Sequence, residues 1–106
     1  MKVYTSDGRL KVSLLGYSYQ AVAADITLTA LVSYLFVSAA CTITLPAVAT
    51  VPAFTPMTIK TIVAGDPPVI VAGDGSETID DELTKTIAFS YSAMTIISDG
   101  VQWRIV

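Results

Sequence analysis

Apolar and polar residues alternate with a period of two through most of this chain, and that pattern commits it to strands. The last six residues carry it most cleanly. Val101, Trp103 and Ile105 share one face, while Gln102 and Arg104 share the other, the mark of a half-buried strand. The alternation recurs in Ile26-Thr27-Leu28-Thr29, Cys41-Thr42-Ile43-Thr44-Leu45, Met57-Thr58-Ile59-Lys60 and around Met94-Thr95-Ile96. β-branched residues dominate these runs; they are stiff at χ1, pack well on a pleated surface and disfavour helix. Residues 21–24 and 31–40 are ambiguous. Leu31, Leu35 and Ser38 could share a helix face, whereas Tyr34, Phe36 and Val37 prefer a strand.

The punctuation is that of a β protein. Asp7-Gly8 and Asp99-Gly100 each read as a two-residue hairpin turn, because Asp and Gly tolerate positive φ. Gly65-Asp66-Pro67-Pro68 and Gly73-Asp74-Gly75-Ser76 read as loops. Pro46, Pro52 and Pro56 make residues 45–57 an extended connector, since proline cannot donate to a sheet ladder. No strict internal repeat is visible. The expected fold is all-β: a compact antiparallel β-sandwich or jelly-roll-like body, or a stacked β body, with an N-terminal hairpin, assembling as a trimer. Residues 1–16 are expected to form the hairpin arm and residues 17–106 a single β-rich domain.

Composition matters where surface must be covered. A chain of 106 residues exposes much of its area when folded alone, yet only 14% of these residues are charged, against roughly 25% in ordinary soluble domains. Coverage by other chains resolves this most simply; a monomer coated in Thr and Ser is the alternative. A membrane span is not expected: the most apolar run, residues 30–45, is broken by Ser33, Tyr34, Ser38, Thr42 and Thr44 and ends at Pro46, short of the roughly 20 apolar residues a spanning helix needs. Asp7, Arg9 and Lys11 stand where a leader peptide would be apolar. The acidic C-terminal half argues against nucleic acid, which recruits clustered Lys and Arg.

Catalytic and metal chemistry find few candidates. The sequence has no histidine and one cysteine, Cys41, so a zinc site, an intrachain disulfide and a His-based catalytic set are all excluded within one chain. Cys41 shares a strand face with Ile43 and Leu45 and reads as a small buried hydrophobe. Gly73-Asp74-Gly75 lacks the remainder of a dinucleotide or phosphate-loop fingerprint. Asp74, Glu77, Asp80, Asp81 and Glu82 form the one carboxylate cluster. Such groups can hydrolyse a glycoside or hold calcium when suitably held; here a solvated acidic loop is the expected role, with no catalytic residue, metal or cofactor. Tyr17 and Tyr19 share a strand face, either as packing or as a platform for sugar rings.

The order of segments carries a resemblance. Thr42-Ile43-Thr44-Leu45-Pro46 precedes Met57-Thr58-Ile59-Lys60, then Gly75-Ser76-Glu77-Thr78-Ile79-Asp80, and finally Ser98-Asp99-Gly100-Val101-Gln102-Trp103. Over residues 25–106 this resembles the β-rich modules of tail-fibre, head-fibre and capsid-decoration proteins of tailed bacteriophages. Two positions depart from that pattern. Asp81 stands where the glycine after Ile-Asp is usual, and residues 47–56 carry prolines where a glycine is usual. The resemblance implies a virion structural protein at the capsid surface and no enzyme. It further implies a homotrimer that decorates or cements a capsid, or forms a compact head fibre. Its partners would be copies of itself and the major capsid protein. On that reading Lys2, Tyr4, Arg9, Lys11, Val12 and Leu14 are the expected capsid-docking residues. Ile43, Leu45, Ile59, Ile96, Val101, Trp103 and Ile105 are the expected core and self-assembly residues. A carbohydrate- or receptor-binding module of a tail fibre is the alternative.

Overall fold

The computed structural model describes residues 11–12, 18–62 and 68–106. Within these residues ten strands form two sheets. One sheet contains β1 (Lys11–Val12), β2 (Ser18–Val22), β4 (Tyr34–Val37), β6 (Met57–Thr61), β9 (Ala93–Ser98) and β10 (Trp103–Ile105), side by side in that order. The other contains β3 (Ile26–Thr27), β5 (Cys41–Thr44), β7 (Val69–Ala72) and β8 (Thr84–Ile87), also in order. The described residues thus bear out an all-β chain, built as two mixed sheets.

From β2 to β7 each strand lies in the sheet opposite to the one before it. The chain therefore winds, returning to each sheet one strand further along and in the same direction. This makes β2, β4 and β6 parallel neighbours, and likewise β3, β5 and β7. The expected antiparallel arrangement is corrected on this point: among the strands of the described residues, antiparallel pairing is confined to β1–β2, β7–β8, β6–β9 and β9–β10. The physical reason lies in the corners. Ala23-Ala24-Asp25 and Ser38-Ala39-Ala40 turn the chain from one sheet to the other with small side chains, and a strand in the facing sheet supplies the crossover that parallel pairing requires. Asp25 fastens the first corner, its Oδ1 accepting the Thr42 N–H at 2.8 Å.

Stacking in register places like on like. Ile26, Ile43 and Val71 form one inward ladder; Val22, Val37 and Thr61 form another. The two sheets close on a single core whose members include Leu35, Val37, Ile43, Leu45, Met57, Ile59, Val69, Val71, Ile96 and Trp103. Each such aliphatic side chain contributes about 1.5–3 kcal/mol by leaving water. Thr61 is a polar member of this interior. Its Oγ1 donates to Phe89 O at 2.9 Å and accepts from Ser92 N at 3.2 Å, which ties the β8–β9 turn to β6.

Local expectations meet the structure unevenly. The ambiguous residues 21–24 and 31–40 are strand and corner, not helix. The proline-bearing connector carries no strand before Met57, where β6 begins, and holds a 3-10 turn at Val48–Thr50, fixed where Val48 N–H donates to Glu77 Oε1 at 2.9 Å. Gly73 lies so close to the Glu77 carbonyl that any Cβ there would collide with it. The Asp99-Gly100 hairpin is present, with four residues rather than two between Ser98 and Trp103. Val101 consequently belongs to the turn, 80% exposed, and not to the buried face of β10. The Asp7-Gly8 hairpin lies outside the described residues.

The last strands close one end of the winding. Beyond β10, Trp103 N–H donates to Thr78 O and Asp80 N–H to Trp103 O, both at 2.9 Å. The edge of β8 is guarded differently. Lys85 pairs with fully buried Val71 and so stands on the core-facing side of the strand, where its ammonium meets Glu82 Oε1 at 2.6 Å. A charge on the inner face of an edge strand opposes addition of a further strand, which would bury it.

Trp103 is fully buried, and its Nε1 has no hydrogen-bond partner among the described residues. We expect Trp103→Ala to cost about 3–5 kcal/mol. Trp103→Phe should cost clearly less, because it keeps a ring and removes a buried donor worth about 1–3 kcal/mol when unsatisfied. Urea unfolding of both variants measures the difference. Lys85→Ile should convert the β8 edge into a pairing site, seen as concentration-dependent elongated assemblies in sedimentation velocity.

Candidate assembly surface

The motifs that carried the resemblance are far apart in sequence and lock together in space. Asp80 (φ 48°) and Asp81 (φ 67°) form a two-residue turn with both residues left-handed, closed by Ile79 N–H to Glu82 O at 2.7 Å and Glu82 N–H to Ile79 O at 3.0 Å. Glycine suits such a position, and Asp tolerates it better than most side chains. Asp81 also gains a partner: Gln102 Nε2 donates to its Oδ1 at 2.8 Å, while Gln102 Oε1 accepts the Asp81 N–H at 2.8 Å and the Thr78 hydroxyl at 2.9 Å. Asp80 receives Ile105 N–H at 3.4 Å and lies 3.9 Å from Arg104.

Asp99 organises the other half of this latch. Its Oδ1 accepts the Val101 and Gln102 N–H groups, both at 2.9 Å, and its Oδ2 accepts Arg104 Nε at 2.9 Å. These donors, the Gln102 amide first, then Val101 and Arg104, pull the Asp99 carboxyl down to about 2. Of the carboxylates read as a solvated loop, Glu77, Asp80 and Asp81 thus hold backbone or side-chain partners elsewhere in the chain. Asp80 and Asp81 sit in a tight turn. Among the described residues no group of three or more Cys, Asp or Glu is placed to hold a metal ion. Cys41 is buried, and that burial raises its thiol pKa.

The outward faces differ in character. On the six-stranded sheet, Tyr19 faces Tyr34 across β2–β4. Tyr34 and Phe36 stack with centroids 6.2 Å apart, and Tyr19 meets Phe36 edge-on at 6.0 Å. Beyond them Thr58 and Thr95 hydrogen-bond to each other at 2.8 Å, and Lys60 donates to Tyr91 O at 2.8 Å. Tyr17, the partner expected for Tyr19, lies outside the described residues. The outer face of the four-stranded sheet carries the register Thr27, Thr44, Ala72, Thr84.

At one corner an apolar groove of about 400 Å³ opens between residues 30–33 and the connector, lined by Leu31, Val32, Val51, Pro52 and Pro56 among others, with no charged side chain. Phe54 projects beside it, 68% exposed, from a backbone at φ 62°. Tyr91, 61% exposed at φ 57°, does the same in the β8–β9 turn. A bulky residue in the left-handed region costs roughly 1–3 kcal/mol, so twice the fold holds an aromatic ring outward where glycine would be easier.

The sequence-derived candidates divide accordingly. Ile43, Leu45, Ile59, Ile96 and Trp103 are fully buried in the shared core; Ile105 is partly exposed at the sheet edge and Val101 fully outside. Of the docking candidates, Lys2, Tyr4, Arg9 and Leu14 lie outside the described residues. Lys11 and Val12 form β1, whose backbone pairs antiparallel with Tyr19 and Ser18. Phe54 and Tyr91 were not singled out, because a positive φ at a non-glycine residue leaves no sequence signal. Compared with known protein families, curated proteins and solved structures, the chain matches none.

The Asp99 carboxyl is depressed on folding, so its contribution is complete above the ordinary carboxylate range, about 3.9, and is lost as pH falls through about 2. In an NMR titration the Val101 and Gln102 amide shifts should therefore hold steady from neutral pH down past pH 4 and move only near the low end.

Proposed function

We propose that this chain is a non-catalytic building block of a virion: a homotrimeric decoration or head-fibre protein that binds a capsid surface. The observation that supports this best is the latch. The segments resembling phage structural modules, residues 75–80 and 98–103, interlock to seal one end of the winding and leave their polar atoms engaged with each other. Their role in the chain is architectural. Self-association fits the exposed rings of Phe54, Phe89 and Tyr91 on a chain with so few charges. The guarded β8 edge favours a closed assembly over a filament grown from that edge. The jelly-roll expectation has less in its favour than the stacked body, since the chain winds between sheets.

The N-terminal segment is the proposed capsid-docking arm, joined to the body through β1. The aromatic face around Tyr19, Tyr34 and Phe36 favours the receptor-binding alternative, since stacked rings suit sugar faces; glycan-array binding without capsid binding would select it. Native mass spectrometry should find a species of three 11.2 kDa chains; a monomer alone at micromolar concentration would count against self-association. A chain lacking residues 1–16 should still form a three-chain species, of correspondingly lower mass, and lose co-sedimentation with capsids. Unchanged capsid occupancy would remove docking from this segment.

A further inference from the structure

Phe54 and the groove beside it complement each other, yet they do not meet within one chain. Phe54 is absent from the groove's lining, although Pro52, Thr55 and Pro56 of the same loop belong to it. We infer that Phe54 of one copy seats in this groove on a second copy. The inference rests on the self-association proposed above and names its contact.

Four observations carry it. The groove is uncharged and largely apolar, so an aromatic ring enters it without stripping water from a charge. Its volume of about 400 Å³ falls within the range of about 300–1,000 Å³ typical of pockets that take an organic group. The ring is pre-positioned: Phe54 N–H donates to Ser98 O at 2.8 Å, and Pro52 and Pro56 stiffen the loop on either side. Little freedom is then lost on binding. Finally, the left-handed backbone at Phe54 favours glycine on local grounds, and a ring held there against that preference is well explained by an external seat. Knob and hole share one loop, so in a closed symmetric assembly each copy can offer a ring to one neighbour and a groove to another.

Two substitutions test the seat from its two sides. Phe54→Gly removes the knob and relieves the backbone, so the melting temperature of the dissociated chain should not fall. Ala30→Trp fills the hole from an exposed lining position. In sedimentation equilibrium over a dilution series, each should raise the self-dissociation constant at least about 30-fold, the ratio that 2 kcal/mol represents for an anchoring aromatic. Mixing the two variants should restore pairing between unlike chains without rebuilding the closed oligomer, because one supplies an intact groove and the other an intact Phe54. The inference is overturned if the wild-type chain self-associates and both variants keep its dissociation constant; the oligomer would then stand on another surface. It is equally overturned if Phe54→Gly loses capsid binding alone, which would make the ring a contact for the capsid protein. A wild-type chain that stays monomeric at all concentrations would remove the proposed self-association and the seat together.

Discussion

Everything else in this structure depends on register between parallel strands that are never consecutive in sequence. Tyr19 faces Tyr34, which faces Thr58, and Ile26 faces Ile43, which faces Val71. A slip of one residue would turn each inward ladder out to solvent. Register is held by the ladders' own burial and by polar ties between successive windings. Ser18 and Ser33 exchange bonds, each hydroxyl accepting the other's backbone N–H at 3.1 Å, and Asp25 grips Thr42. The stiffness of β-branched side chains then makes stacking of like on like inexpensive in entropy.

A winding body has two ends, and an end is an unpaired edge. At the C-terminal end the chain reverses direction, and β8, β9 and β10 run antiparallel to the strands they cover. The Asp80-Asp81 turn and the Asp99 turn then clamp β10 between them, with Gln102 bridging the two. Charged side chains in this region serve the backbone more than the solvent. That accounts for a cluster of carboxylates on a chain otherwise poor in charge.

With its interior filled and one end sealed, the molecule has its faces and corners left for interaction. The outer faces of the sheets carry a threonine register on one and an aromatic group on the other. The corners instead hold aromatic rings on strained backbone, at Phe54 and Tyr91. Strain of this sort survives only where the surroundings enforce it. Here Ser98 O fixes Phe54, and Lys60 fixes the Tyr91 carbonyl. Presenting side chains from rigid corners is economical for a small chain, because binding then orders little that was not ordered already.

The sequence by itself determined the strand character of most of the chain, the buried face of its most regular strands and a place where no strand could run. Period-two alternation and proline act locally, so Ile43, Leu45, Ile59, Ile96 and Trp103 were legible as core and residues 45–57 as a connector. Strand direction was not legible, because alternation is identical in parallel and antiparallel sheets, and the alanine corners bear no hairpin signal. Val101 was misplaced for a related reason: alternation continues into a turn that Asp99 closes through its side chain. The clamping role of Asp80, Asp81, Asp99 and Gln102 depends on contacts spanning some twenty residues. The corner rings depend on backbone angles that surrounding contacts impose. Only the tertiary structure decides such features, since each is the outcome of segments meeting rather than of any segment's own preference.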